Sequence, residues 1–296
     1  MGKASRIKQQ SAREKIAAQR AEAQRLERRN RILITGGSTL LVLVIVLAFV
    51  FIKLAQNNSS SSGSTGGRTA LPASVVSQVT NVPASTLDKV GKGAAAPSPT
   101  LLGPGSGAAL TSNGKPEMLY IGAEFCPYCA AMRWSMAIAL SRFGSFTTPL
   151  QGIHSSPTDT DPNTATLTFY KAGYNSKYLA FTPVENLTVT HALLQNPTKA
   201  QNAVWAKYEP NPNNRGYPFI AFSNKVVLKG PIYNPAVLAG KSWSQIAAAL
   251  HDPTSPIAQS VLGAANYVTG AICKMTNNQP SNVCSSPAVT AVQSGL

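Results

Sequence analysis

"PEMLYIGAEFCPYCAAMRWSMAIALSRFG", residues 116–144, is the stretch on which the fold turns. Residues 116–122 form a short apolar run of the kind that makes a buried strand. A helix follows, spanning 126–144. Proline stands near its start, apolar residues recur along it, and Gly144 supplies a stop. Cys126 and Cys129 lie at the junction. Free N–H groups and the macrodipole at a helix N-terminus favour a thiolate at Cys126. Cys129, one turn in and more shielded, is placed to attack a mixed disulfide and release its product. Pro127 fits the first helical turn and fixes the local backbone, and with Tyr128 it gives the pair its contact surface. The pattern predicts thiol–disulfide exchange, with Cys126 attacking and Cys129 resolving.

The other two cysteines bear on the rival readings. A zinc site of four cysteines sets two close pairs about 15–20 residues apart. Here the second pair, Cys273 and Cys284, is far along the chain with ten residues between its members. The three histidines, His154, His191 and His251, have no ligand spacing either, so neither a metal nor another cofactor is expected. Cys273 and Cys284 bracket a polar loop after a helical stretch, where a structural disulfide would close a short loop.

Outward from the motif, "TATLTFYKAGY" (164–174) and "SKYLAFTPVENLTV" (176–189) favour extended structure. Helices are expected over 197–210, 234–250 and 255–275. Residues 217–230 read as a hairpin turning at Ser223, Asn224 and Lys225. Residues 72–90 add a strand or a helix at the domain edge. The pattern is α/β around one sheet.

The chain carries a net charge of +15, and residues 1–31 hold ten of its Lys and Arg against three Asp and Glu. This basic run ends at "ILITGGSTLLVLVIVLAFVFI" (32–52), an uncharged stretch long enough as a helix to span a bilayer core of about 30 Å. That placement argues for a lipid-bilayer partner and against nucleic acid. The apolar run exceeds a signal peptide's usual ~7–15 residues, which favours an uncleaved anchor. Few positive charges follow it, so residues 1–31 are expected in the cytoplasm and the remainder outside it. Residues 53–71 read as a flexible Ser/Gly linker and 72–296 as the extracytoplasmic domain.

Pro218, in "GYPFIAF", precedes an apolar strand some ninety residues after the cysteines. Base rates favour a trans bond there. The arrangement, however, resembles the thioredoxin superfamily, in which a cis-proline stands beside the cysteine pair. That resemblance implies a cis Pro218, with Tyr217 offering backbone hydrogen bonds to an extended substrate. "YIGAEFCPYCAAMRWSMAIALSRFG", "SKYLAFTPVE", "YPFIAF" and "SWSQIAAAL" further resemble bacterial domain of unknown function family 929, membrane-anchored and thioredoxin-like by motif. The resemblance covers most of 75–251 and implies a thioredoxin-like fold preceded by one transmembrane helix. An insertion would occupy about 145–215, between the active-site helix and the cis-proline strand, and a helical extension about 252–296.

Glu124 lies two residues before Cys126. Three roles are open to it: proton acceptor for Cys129, carboxylate raising the thiol pKa, or exposed strand-end charge. Arg133 is expected at the surface, with thiolate stabilisation as the alternative. Met132, Trp134, Met136, Trp205 and Trp243 are expected in packing, and His154 in a loop without a functional role. The reading is a single-pass, membrane-tethered thiol–disulfide oxidoreductase acting on exported cysteine-containing proteins, more readily an oxidase or isomerase than a reductase, and recharged by a membrane electron-transfer partner. Its rival is a redox-inert binding or scaffold module with Cys126 and Cys129 locked together. A locked pair should have a potential below about −300 mV.

Overall fold

The computed structural model describes residues 67–98 and 101–296. The basic segment 1–31, the apolar span 32–52 and residues 53–66 of the linker lie outside them. Among the described residues no helix is long and apolar enough to cross a membrane. The chain divides between Ser64 and Thr65, and all described residues belong to the second unit.

The elements run β1 (Thr69–Ala70), α1 (Ala73–Thr80), α2 (Ala84–Val90), β2 (Leu102–Pro104), β3 (Thr111–Ser112), β4 (Lys115–Gly122) and α3 (Pro127–Ser141). Five strands follow: β5 (Ser145–Phe146), β6 (Gln151–His154), β7 (Ala165–Thr168), β8 (Tyr174–Asn175) and β9 (Ala180–Glu185). Then come α4 (Lys199–Tyr208), the hairpin β10 (Phe219–Phe222) and β11 (Val226–Lys229), α5 (Trp243–Ala249), α6 (Pro256–Met275), α7 (Ser281–Cys284) and α8 (Pro287–Gln293).

The main sheet is organised by β4. On one edge β9 runs parallel to it, with Val184 beside Ile121 and Glu185 beside Gly122. On the other β10 runs antiparallel, with Phe219 opposite Ile121, and is followed by β11 and then β2. The core path is therefore strand, helix, parallel strand, helix, antiparallel hairpin, helix. Both faces of β4 are covered, which is why its run is continuously apolar rather than alternating. Met118 and Tyr120 face the larger core with α3 and α6. Leu119 and Ile121 face a smaller cluster with Val184, Phe219 and Trp205. Helix α3 is buried on all sides, every residue from Cys129 to Leu140, so it shows no amphipathic stripe.

The structure differs from the sequence expectation in several places. Residues 145–215 are not one insertion. β9 is a core strand of the main sheet and α4 packs Trp205 against it, so only the β5–β8 segment stands apart. There β6 pairs with both β7 and β1, forming a small three-stranded sheet. Trp134 Nε1 donates to Ala165 O of that sheet at 3.0 Å, and Thr166 Oγ1 donates to Ala130 O at 2.7 Å. The linker is shorter than expected, because Thr69 and Ala70 pair with Gly152 and Gln151. The expected helix 234–250 is broken. Gly240 takes a positive φ of 66°, and Ser242 with Gln245 forms a capping box that starts α5 afresh. Residues 72–90 form the two short helices α1 and α2. The hairpin turns where expected, through Ser223 and Asn224 at φ 50° and 55°.

Candidate functional site

The site assembles where β4 ends. Cys126 is the N-cap of α3 and Pro127 its first residue. A thiol at this position takes the place of the usual capping oxygen: the Cys129 N–H donates to Cys126 Sγ at 3.4 Å. The β10 register brings in the second half. With Phe219 opposite Ile121, Pro218 falls beside Gly122 and Tyr217 beside the cysteines. The Tyr217–Pro218 bond is cis. Cys126 Sγ lies 3.8 Å from Tyr217 O, to which its S–H donates, across 91 residues of chain.

The two thiols are free and differ in acidity. The hydrogen bond from the Cys129 side chain holds Cys126 below the ordinary thiol pKa, helped by the Cys129 N–H, the Arg133 charge and the Tyr128 N–H against the opposing effect of burial. Burial pushes Cys129 well above that value, and its hydrogen bond to Cys126 and the Cys126 charge add to this. The outer sulfur is thus the better thiolate and the inner one a reluctant acid.

Beneath the pair lies a charge arrangement that the sequence reading missed. Arg133 is wholly buried, not at the surface. Its Nε and Nη2 donate to Glu185 Oε1 and Oε2 at 2.9 and 2.7 Å, and Nη2 also donates to Ala123 O at 2.8 Å. Glu185, at the end of β9, is equally buried and also accepts from Phe169 N–H at 3.1 Å. The only advance signal was the position of Arg133, four residues after Cys129 and so on the same helix face.

Glu124 is 1% exposed, which overturns its reading as an exposed charge. Both of its oxygens are taken. Arg68 grips it through Nε and Nη2 at 2.8 and 2.7 Å, and Thr168 Oγ1 donates to Oε1 at 2.8 Å. The carboxylate is thus committed to Arg68, whose guanidinium also lies 4.3 Å from the Tyr170 ring centre. His154 ends β6 with its ring 4.6 Å from that of Trp243, and burial lowers its pKa. Trp205 is buried beside Tyr217, while Trp243 is half-buried.

The rim is aromatic and apolar. Phe125 stacks on His191 at 3.9 Å and meets the edge of Tyr217 at 6.1 Å. The Tyr217 hydroxyl donates to Asn186 Oδ1, and burial raises its pKa to about 12. Tyr128 and Leu193 are 37% and 60% exposed, conspicuous for large apolar side chains. Residues 186–195 reach the site because pairing continues past the end of β9. Asn186 N–H donates to Gly122 O at 2.7 Å and Glu124 N–H to Leu187 O at 2.8 Å, setting Leu187 against the cysteines.

At the far end of the core Cys273 and Cys284 are bonded, with Cα atoms 5.6 Å apart. Among the described residues no group of three or more His, Cys, Asp and Glu is placed to hold a metal ion.

A profile of the family described as "Domain of unknown function (DUF929)" matches residues 105–274. No curated protein and no solved structure matches the chain.

Proposed function

The chain belongs to this family of unstated activity, and from its own geometry we propose a thiol–disulfide oxidoreductase of thioredoxin-like fold, in which Cys126 attacks and Cys129 resolves. The observation that carries the reading is the N-cap position of Cys126. Its sulfur accepts the Cys129 N–H and its pKa is depressed, while the second thiol waits behind it with a raised one. This asymmetry is what exchange requires: a ready nucleophile, and a resolving group that does not compete with it. The core path and the parallel β4–β9 pairing support the thioredoxin-like reading, as does the cis Tyr217–Pro218 bond beside the pair. The apolar rim with exposed Tyr128 and Leu193 suits an unfolded or extended protein substrate.

The proposed setting is the outer face of a membrane. The basic segment 1–31 followed by the uncharged span 32–52 supports an anchor with its N-terminus in the cytoplasm. The Cys273–Cys284 disulfide supports an oxidising compartment. In such a compartment the pair acts as an oxidase or isomerase on exported cysteine-containing proteins and is recharged through a membrane electron-transfer partner.

The test is exchange with a model disulfide substrate, together with trapping on Cys129→Ser. The variant should accumulate mixed disulfides through Cys126 that a reductant releases. A wild-type chain inert towards both dithiols and disulfides would leave the scaffold reading in its place.

A further inference from the structure

Cys129 sits in a pocket whose polar groups are only partly used. Arg133 spends Nε and Nη2 on Glu185 and Ala123, but its buried Nη1 has no oxygen or nitrogen partner among the described residues. Tyr120 Oη, also fully buried, has no oxygen or nitrogen partner among them either, and the group it meets is the Cys129 side chain. Leaving buried donors unmatched is costly, so native proteins rarely tolerate it without use. Both groups lie close beneath the cysteines. Arg133 is one helical turn beyond Cys129, and it grips the carbonyl of Ala123, which packs on both sulfurs. The Tyr120 phenol crosses Gly122, where a Cβ would stand 2.0 Å from its oxygen, so glycine is required for the ring to lie there. The charged and titratable groups facing Cys129 are Arg133 and Cys126 from the α3 end, Tyr120 from β4 and Tyr217 before β10, with Glu185 of β9 paired to Arg133.

We propose that Arg133 Nη1 and the Tyr120 hydroxyl form a receptor for the Cys129 thiolate, taking up its charge when that sulfur loses its proton, with Glu185 holding the guanidinium in place. The inference rests on the exchange reading and deepens it. In the resolving step Cys126 is joined to a substrate sulfur. Cys129 gives up its proton to water, and the thiolate attacks Cys126 Sγ. The Cys126–Cys129 bond forms as the Cys126–substrate bond breaks. The electron pair leaves on the substrate sulfur, which takes up a proton through water. The dithiol is oxidised by two electrons and the substrate disulfide is reduced; oxidation of a substrate begins with this step reversed and ends when a second substrate thiolate attacks the mixed disulfide and Cys126 leaves as the thiolate. Burial opposes the thiolate on Cys129, and the receptor offsets that opposition where the charge develops.

The test is the titration of Cys129, followed by carbon NMR of cysteine-labelled full-length Cys126→Ser chain in detergent micelles. Arg133→Gln should raise the Cys129 midpoint. Glu185→Gln should lower it, since the guanidinium is then uncompensated. Tyr120→Phe, which keeps the ring and is the variant most certain to fold, should raise it by a smaller amount. With Cys126 restored, Arg133→Gln should slow resolution about tenfold at neutral pH, as one pKa unit implies, with recovery as the pH rises. Tyr120→Phe should slow it about fivefold, as expected for one hydrogen bond, and Arg133→Lys should restore part of the rate. Opposed shifts for Arg133 and Glu185 with slowed resolution support the receptor. Shifts of the same sign, or a Tyr120→Phe midpoint equal to the parent's, overturn it even when exchange is normal. A wild-type chain without exchange overturns the exchange reading and the resolving role with it, whatever the midpoints do.

Discussion

The molecule contains two cysteine pairs that exposure cannot tell apart. Cys129 and Cys273 are 0% exposed, and Cys126 and Cys284 are each 4%. One pair is free and the other bonded. What separates them is the polar surroundings. Cys126 caps a fifteen-residue helix and faces a carbonyl oxygen, with a buried guanidinium below. Cys273 and Cys284 sit in the main apolar cluster, at the end of α6 and the end of α7, together with Val283 and Val289. A sulfur among apolar side chains gains nothing by ionising. A sulfur at a helix N-terminus does. Burial makes a cysteine structural only where no charge or dipole waits for its thiolate.

Four experiments break or sharpen this contrast. The largest effect belongs to Cys126→Ser, which should bring exchange down to background while leaving the Cys273–Cys284 disulfide intact by mass after alkylation; retained exchange would place the chemistry elsewhere. Next, Cys273→Ala with Cys284→Ala should destabilise the fold by about 3 kcal/mol, from the short loop it reopens. Denaturant midpoints measure this, and the double variant should exchange disulfides at the wild-type rate where it is folded. A third separation is redox. Equilibration against dithiol buffers should reduce Cys126–Cys129 well before Cys273–Cys284, the latter lying below about −300 mV. Equal potentials would erase the contrast.

The smallest effect is in pH. Native Cys126 holds its proton less tightly than an unfolded cysteine does. Alkylation of Cys126 should therefore persist to lower pH than that of a free thiol, with Cys129 lagging at every pH. The corresponding stability of the reduced fold is fully present above the ordinary thiol pKa and is lost as the pH falls through the native value. A Cys126 midpoint at or above that of a free thiol would remove the distinction between the two sulfurs of the pair.

Legibility in the sequence followed the distance over which each interaction acts. The strand before Cys126, the helix after it and the proline at its first position were all readable, because capping and helix starts involve residues a few positions apart. The β10–β11 turn was readable for the same reason. The break at Gly240 was written in residues 240–245, but the apolar runs on either side of it, 235–239 and 246–250, read together as one helix. The role of β9 was not legible. "AFTPVE" looks like any extended segment until its parallel pairing with β4 places it in the core sheet.

Local chemistry alone settles that Cys126 is a helix-capping thiol with Cys129 one turn behind it, since both facts depend on neighbours within a few residues. The electrostatics around them depend on contacts across the fold. Arg133 meets Glu185 over 52 residues and Arg68 meets Glu124 over 56. A charge on a helix reads as solvated unless the register of another strand supplies its counterion. Pairing of β9 alongside β4 does so here, turning an arginine expected at the surface into the buried cation beneath the cysteines.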